Sequence, residues 1–193
     1  LYLTPVLYQT AKKINIAQQS ALAQGNSLMI YECFRPATVQ SRLMNGLEQL
    51  MIADAEVNAA LTAAPWSKGW FVSRGISKHQ RGTAVDLTLV EVLEEEIRTT
   101  GDYEYRKIIE YIELEMPTQF DELSPLATTF IAPHSTIYSD NMTESAILLQ
   151  QYCTDAGLQP LASEWWHFSD LSGGEFITGD FLLTENCGIP PTY

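Results

Sequence analysis

Hydrophobic and polar positions follow distinct periods along this chain, and the periods change at glycine and proline. Over residues 8–24, YQTAKKINIAQQSALAQ, the apolar Ala11, Ile14, Ile16, Ala21 and Leu22 fall at helix-like spacing and Gly25-Asn26 supplies a stop, which predicts a helix. Residues 27–34, SLMIYECF, form an apolar and aromatic run cut off by Arg35-Pro36, because proline restricts the residue before it and brings no donor to a ladder. A buried strand ending at Arg35 is expected. Residues 37–64 are rich in Leu, Met, Ala, Gln and Glu without proline, so one long helix or two short ones fit, with breaks allowed at Gly46 and Asn58.

Residues 83–90, TAVDLTLV, read as a strand with Asp86 as an anomaly in its middle. Burying an unpaired carboxylate there would cost on the order of several kcal/mol, so Asp86 asks for a partner. Residues 91–116 are dense in glutamate, yet TTGD at 99–102 is a turn signal between two β-branched and aromatic segments, which predicts a long acidic β-hairpin rather than a helix. Residues 143–157, TESAILLQQYCTDAG, open on Thr and Glu, carry Ile147, Leu148 and Tyr152 and end at Gly157, the pattern of a capped helix. Residues 172–193, with four glycines and two adjacent prolines, lack periodicity and are expected to wrap the surface.

Composition narrows the class. At 193 residues, 46% hydrophobic and 18% charged, the chain has ordinary globular make-up, and with no repeat or long linker one domain over residues 1–193 is expected. Eleven basic against twenty-four acidic residues give a formal charge of −13, which repels a polyanion, so nucleic acid is excluded as the expected partner. No apolar run approaches the ~20 residues of a membrane span. Cys33, Cys153 and Cys187 are too few for a disulfide scaffold and form no C-x-x-C pair, leaving one bridge and one free thiol as the alternative to free thiols. A start without Met, little lysine and abundant Thr, Gln and Asn point to an exported bacterial form, extracytoplasmic or in the cell wall, with the cytoplasm as the alternative.

Two of the three histidines stand in unusual surroundings: residues 77–86, SKHQRGTAVD, and residues 164–167, EWWH. A turn at Gly82 brings an imidazole at a loop end, His79, beside a carboxylate on the next strand, Asp86. Neutral imidazole and ionised carboxylate suit Zn²⁺, and a third ligand would leave the fourth position to water. His167 is the natural third ligand, and Glu164, three residues before it, is a candidate general base that reaches a metal-activated water without closing the shell. The third histidine, His134 in APHST, reads as a loop residue.

The pattern S-x-H-x-x-G-x-A-x-D followed by E-x-W-H resembles the zinc signature of the D-alanyl-D-alanine peptidases of the VanX and VanY kind, and Ser77, His79, Gly82, Ala84, Asp86, Glu164, Trp166 and His167 match every defined position. YECFRP at 31–36 resembles the segment whose arginine, here Arg35, stabilises the tetrahedral intermediate. MPTQFD at 116–121 resembles the dipeptidase segment whose aspartate, here Asp121, holds the free amino group of a dipeptide, although Pro117 replaces the usual glycine. The double tryptophan also resembles the VanX-like dipeptidase branch.

The resemblance implies an α+β fold of the Hedgehog/DD-peptidase kind, helices packed around a small antiparallel sheet. It implies zinc held by His79, Asp86 and His167, with Glu164 and Arg35 catalytic and Asp121, with Ser77, binding a small peptide substrate containing D-amino acids. The expected activity is hydrolysis of D-alanyl-D-alanine or a similar D,D-dipeptide, in peptidoglycan metabolism or glycopeptide resistance. Three readings compete with it: a D,D-carboxypeptidase that trims terminal D-Ala from stem peptides, a zinc-stabilised binding module without catalysis, and an acidic interaction domain without metal. Oligomeric state is not encoded in any motif.

Overall fold

The structure, a computed structural model, describes residues 4–73 and 75–173. Helix α1 (Tyr8–Leu22) buries Thr10, Ile14, Ala17 and Ala21, a single face at helical spacing. Ile16 instead points to solvent. Gly25 at φ 80° reverses the chain into strand β1 (Asn26–Glu32), as the Gly-Asn stop predicts.

Residues 37–64 form two helices, α2 (Ala37–Ala53) and α3 (Ala55–Thr62). The break falls at Asp54, whose side chain accepts from the amides of Glu56 and Val57 and so starts α3. Neither Gly46 nor Asn58 interrupts a helix. The short α4 (Lys68–Phe71) was not legible as an element, being a single turn.

The long strand β2 (Ala84–Thr100) organises the sheet. Its first seven residues are buried and the rest is largely exposed, because the first part pairs with β1 and β5 and is covered by helices, whereas beyond Glu91 the strand pairs with β3 alone. β1 pairs antiparallel with it on one side; on the other side β5 (Glu164–Ser169) pairs with its start and β3 (Tyr103–Glu113) with its end. The β2–β3 hairpin turns through Gly101-Asp102 and fulfils the expectation for residues 91–116. A short β4 (Gln159–Leu161) completes a five-stranded antiparallel sheet, ordered β1-β2-β5-β4 with β3 also on β2. The fold is mixed α+β, a small antiparallel sheet with packed helices.

Helix α5 (Glu144–Asp155) is capped by the Thr143 hydroxyl, which accepts from the Ala146 amide. It lies with α1 against one face of the sheet. There Ile14, Ala17, Ala21, Leu149 and Cys153 pack with Val85, Leu87, Leu89 and Phe168. Since side chains alternate along a strand, burying Val85, Leu87 and Leu89 against the helices turns Asp86 to the opposite face. A second cluster of Leu61, Trp66, Phe71 and Ala162 joins α3 and α4 to the end of β4. Cys33 and Cys153 are buried free thiols. Cys187 and most of the 172–193 stretch lie outside the described residues.

Candidate active site

Asp86 stands directly opposite His167 across the β2–β5 ladder and opposite Glu32 across the β2–β1 ladder. Cross-strand neighbours share a face, so sheet register alone lines up Glu32, Asp86 and His167. His79 enters from the loop before β2. Gly82, at φ 65°, closes that loop by donating its amide to the His79 carbonyl at 2.9 Å, a conformation that favours glycine. The loop is tied to the N-terminal segment by the Leu7 amide, which donates to the Gly82 carbonyl at 2.9 Å.

The three groups meet. His79 Nε2 is 3.0 Å from His167 Nδ1 and 3.2 Å from Asp86 Oδ2, and His167 Nδ1 is 2.9 Å from Asp86 Oδ1. All three residues are buried. Bonds of about 2.0–2.2 Å at a tetrahedral zinc place two donors roughly 3.3 Å apart, so these groups span one face of such a tetrahedron with little adjustment. Each imidazole is fixed from behind: His79 Nδ1 lies 2.7 Å from the Cys33 carbonyl oxygen, which only an N–H can satisfy, and His167 Nε2 lies 3.2 Å from Ser169 Oγ. These contacts leave Nε2 of His79 and Nδ1 of His167 free to ligate, the usual outer support of a metal-bound histidine. Asp86 Oδ1 is buried and receives no hydrogen bond. An orphaned buried carboxylate oxygen facing two imidazole nitrogens fits a divalent cation.

The electrostatics agree. Burial works against charge on Asp86, but the imidazoles of His79 and His167 outweigh it and hold the carboxyl well below the usual range. Burial likewise opposes charge on His79, where Asp86 wins and raises the pKa; on His167 burial wins and lowers it. Burial, with Asp86 and Glu32, pushes the Cys33 thiol up to about 12.

Glu164 Oε2 lies 3.8 Å from His167 Nδ1. Residues three apart on a regular strand face opposite ways, but the β4–β5 register shifts so that Leu161 pairs with Glu164 while Pro160 pairs with Phe168. This irregularity turns Glu164 onto the His167 side. Burial, reinforced by Asp86 and Asp121, raises the Glu164 pKa well above the ordinary carboxylate value.

Arg35 lies three positions beyond the end of β1, so the strand stops short of the expected boundary, and β1 is part-buried rather than buried, with Ile30 and Tyr31 exposed. Arg35 Nη2 is 3.9 Å from Asp86 Oδ2; its Nε donates to both Glu32 oxygens at 2.9 and 3.0 Å, Nη2 also binds Glu32, and Nη1 donates to Gln40 Oε1 at 2.9 Å. Asp121 adopts φ 63° at the end of a loop held by Phe120, which stacks on Tyr31 at 4.1 Å and meets Trp166 edge-on at 5.7 Å. Burial raises its pKa, with Asp86 and Glu32 adding to the effect against Arg35. Ser77 Oγ accepts from the Gln80 amide at 3.1 Å, a turn-capping contact. His79, Asp86, His167, Glu164, Arg35, Asp121 and Ser77 all line one cleft of about 910 Å³. His134 stands apart, edge-on to Trp70.

Sequence reasoning missed the residues that hold this constellation. Glu32 and Gln40 grip Arg35, and Ser169 supports His167. Only Ser169 left a signal, as a polar residue two positions beyond the strand-borne candidate ligand His167 and so on the same face.

The chain matches the D-ala-D-ala dipeptidase family over residues 6–180. It is 28% identical over 159 residues to the D-alanyl-D-alanine dipeptidase of Escherichia coli strain K12, an alignment covering 82% of this chain and 60% of that relative. The chain therefore spans about three fifths of the relative's length.

Proposed function

The chain belongs to the D-ala-D-ala dipeptidase family of peptidases, and from that premise we propose that it hydrolyses D-alanyl-D-alanine or a close D,D-dipeptide, with zinc held by His79, Asp86 and His167. One observation carries the reading: three buried ligand groups, a buried carboxyl 3.8 Å from a ligand nitrogen and a guanidinium 3.9 Å from the ligand carboxylate all face the same cleft. A binding module would need the ligands but neither Glu164 nor Arg35.

His79, Asp86 and His167 would hold the zinc, which when bound would supply Lewis acidity to polarise a carbonyl and lower the pKa of water towards ~7. Glu164 is the base: its Oε2 accepts the proton of the attacking water and returns it to the leaving amine. The surroundings that raise its pKa make it a competent donor in that second step. Arg35, locked by Glu32 and Gln40, keeps its charge beside the carbonyl oxygen as that oxygen becomes negative, and one such preorganised donor is typically worth ~3–4 kcal/mol. Asp121, on the same cleft wall, pairs the substrate ammonium. Ser77 serves that wall by fixing the turn that carries His79.

The cleft favours a second reading. At about 910 Å³ it lies near the top of the roughly 300–1,000 Å³ range of small-molecule sites, which leaves room for a D,D-carboxypeptidase substrate. Zinc-loaded protein assayed on free D-alanyl-D-alanine and on an N-acylated tripeptide ending in D-Ala-D-Ala separates the two. Cleavage of the free dipeptide is expected. Cleavage of the blocked tripeptide alone transfers the assignment to a carboxypeptidase, and cleavage of neither overturns both.

A further inference from the structure

The β2–β3 hairpin beyond Val92 leaves two strand edges that no strand among the described residues pairs with, that of β2 and the longer one of β3. β3 pairs only with β2 there, so its other side presents backbone donors and acceptors along eleven residues, YEYRKIIEYIE. Such an edge is a template for another strand, and natural proteins blunt it with proline, charged side chains, bulges or a covering element. β3 has no proline or covering element, and it exposes Tyr103, Tyr105, Ile109, Tyr111 and Ile112. Tyr103 is 80% exposed.

The sequence of that edge is complementary to itself. Laid antiparallel on a second β3 and centred on Ile108, it sets Ile108 against its own copy, Arg106 against Glu110, Tyr105 against Tyr111 and Tyr103 against Glu113. The arrangement is two-fold symmetric, so the Arg106–Glu110 pair occurs twice. Residues opposite each other share a face, so Tyr105 meets Tyr111 on one side while Arg106 meets Glu110 on the other. Centring on Lys107 instead places that lysine on itself and Glu104 on Glu110. Centring on Ile109 sets no basic residue opposite an acidic one.

We propose that β3 is a dimerisation edge whose partner is a second copy of this chain, joined antiparallel about Ile108 into a continuous sheet. Backbone hydrogen bonds supply the attraction, and Arg106, whose Nη1 pairs with Glu95 of its own hairpin at 2.5 Å, shares its guanidinium with Glu110 of the second copy to fix the register. The edge lies away from the candidate active site and is independent of the catalytic reading.

Sedimentation velocity on the full chain across a concentration series tests the proposal. A reversible dimer is expected. Arg106→Glu or Glu110→Arg places like charges opposite each other and weakens it by about tenfold, and the double swap restores it. Amide exchange gives a readout that does not depend on the variants: β3 protection in the parent protein rises with concentration. A monomer throughout, single variants as tight as the parent, a double swap no tighter than either single, or β3 protection unchanged by concentration overturns the proposal.

Discussion

Gln40 Oε1 accepts a hydrogen bond from Arg35 Nη1 at 2.9 Å while its own amide nitrogen donates to the Ser73 carbonyl at 3.0 Å. The glutamine is buried at the start of α2, so it fixes the guanidinium relative to the loop that leads to His79. Arg35 retains Glu32 when Gln40 is removed, and the charge stays while its aim is lost. Gln40→Leu is expected to lower kcat by about ten- to a hundredfold with KM and zinc content little changed. Gln40→Glu keeps the acceptor and retains more of the rate. Steady-state kinetics on the dipeptide check this, and an unchanged kcat in Gln40→Leu removes the positioning role.

Glu164 Oε2 stands 3.8 Å from Nδ1 of His167, one of the three proposed ligands. Glu164→Gln preserves shape and leaves the three ligands in place, so zinc content by metal analysis should match the parent while turnover falls about a hundred- to ten-thousandfold. A variant that loses zinc together with activity would make Glu164 a ligand, and one that keeps its activity would remove it as the base.

Lys13 Nζ reaches the buried Asp170 at 2.6 Å and the Gly157 carbonyl at 3.0 Å, fastening α1 to the end of β5. Thr10 Oγ1 donates to the other Asp170 oxygen at 3.2 Å. Lys13→Met should cost roughly 2–3 kcal/mol at neutral pH in denaturant unfolding. Burial alone would raise the Asp170 pKa, but Lys13 and Ser172 outweigh it and lower the value. A lowered folded-state value contributes stability that is present above the unfolded carboxylate pKa and is lost as pH falls through the folded one. The difference between parent and variant should therefore shrink as pH drops below about 4. A difference that does not change with pH contradicts the ion-pair assignment.

The site was legible where a short segment determines its own geometry. SKHQRGTAVD carries a glycine at the one loop position with positive φ, two of the proposed ligands and the strand that follows, so His79 and Asp86 could be paired from spacing alone. His167 and Glu164 were legible from local pattern, but not the β5 irregularity that turns both to one side, because it arises from pairing with β4. Helix boundaries were legible at Gly25 and Gly157 and misplaced near Asp54, where an aspartate cap rather than glycine makes the break. The grip of Glu32 and Gln40 on Arg35 depends on how a strand end meets a helix start, a non-local relation that no residue pattern reports. The division of β2 into a buried half and an exposed hairpin also follows from which strands flank it.

The central claim is that His79, Asp86 and His167 bind the metal on which peptide hydrolysis depends. Its most direct test is release of D-alanine from D-alanyl-D-alanine by chelator-treated protein, before and after zinc is returned. The metal-free protein is expected to release none and to recover fully at about one equivalent of zinc, with no recovery in His167→Ala. Undiminished hydrolysis without metal, or no hydrolysis after zinc is bound at these three residues, would contradict it.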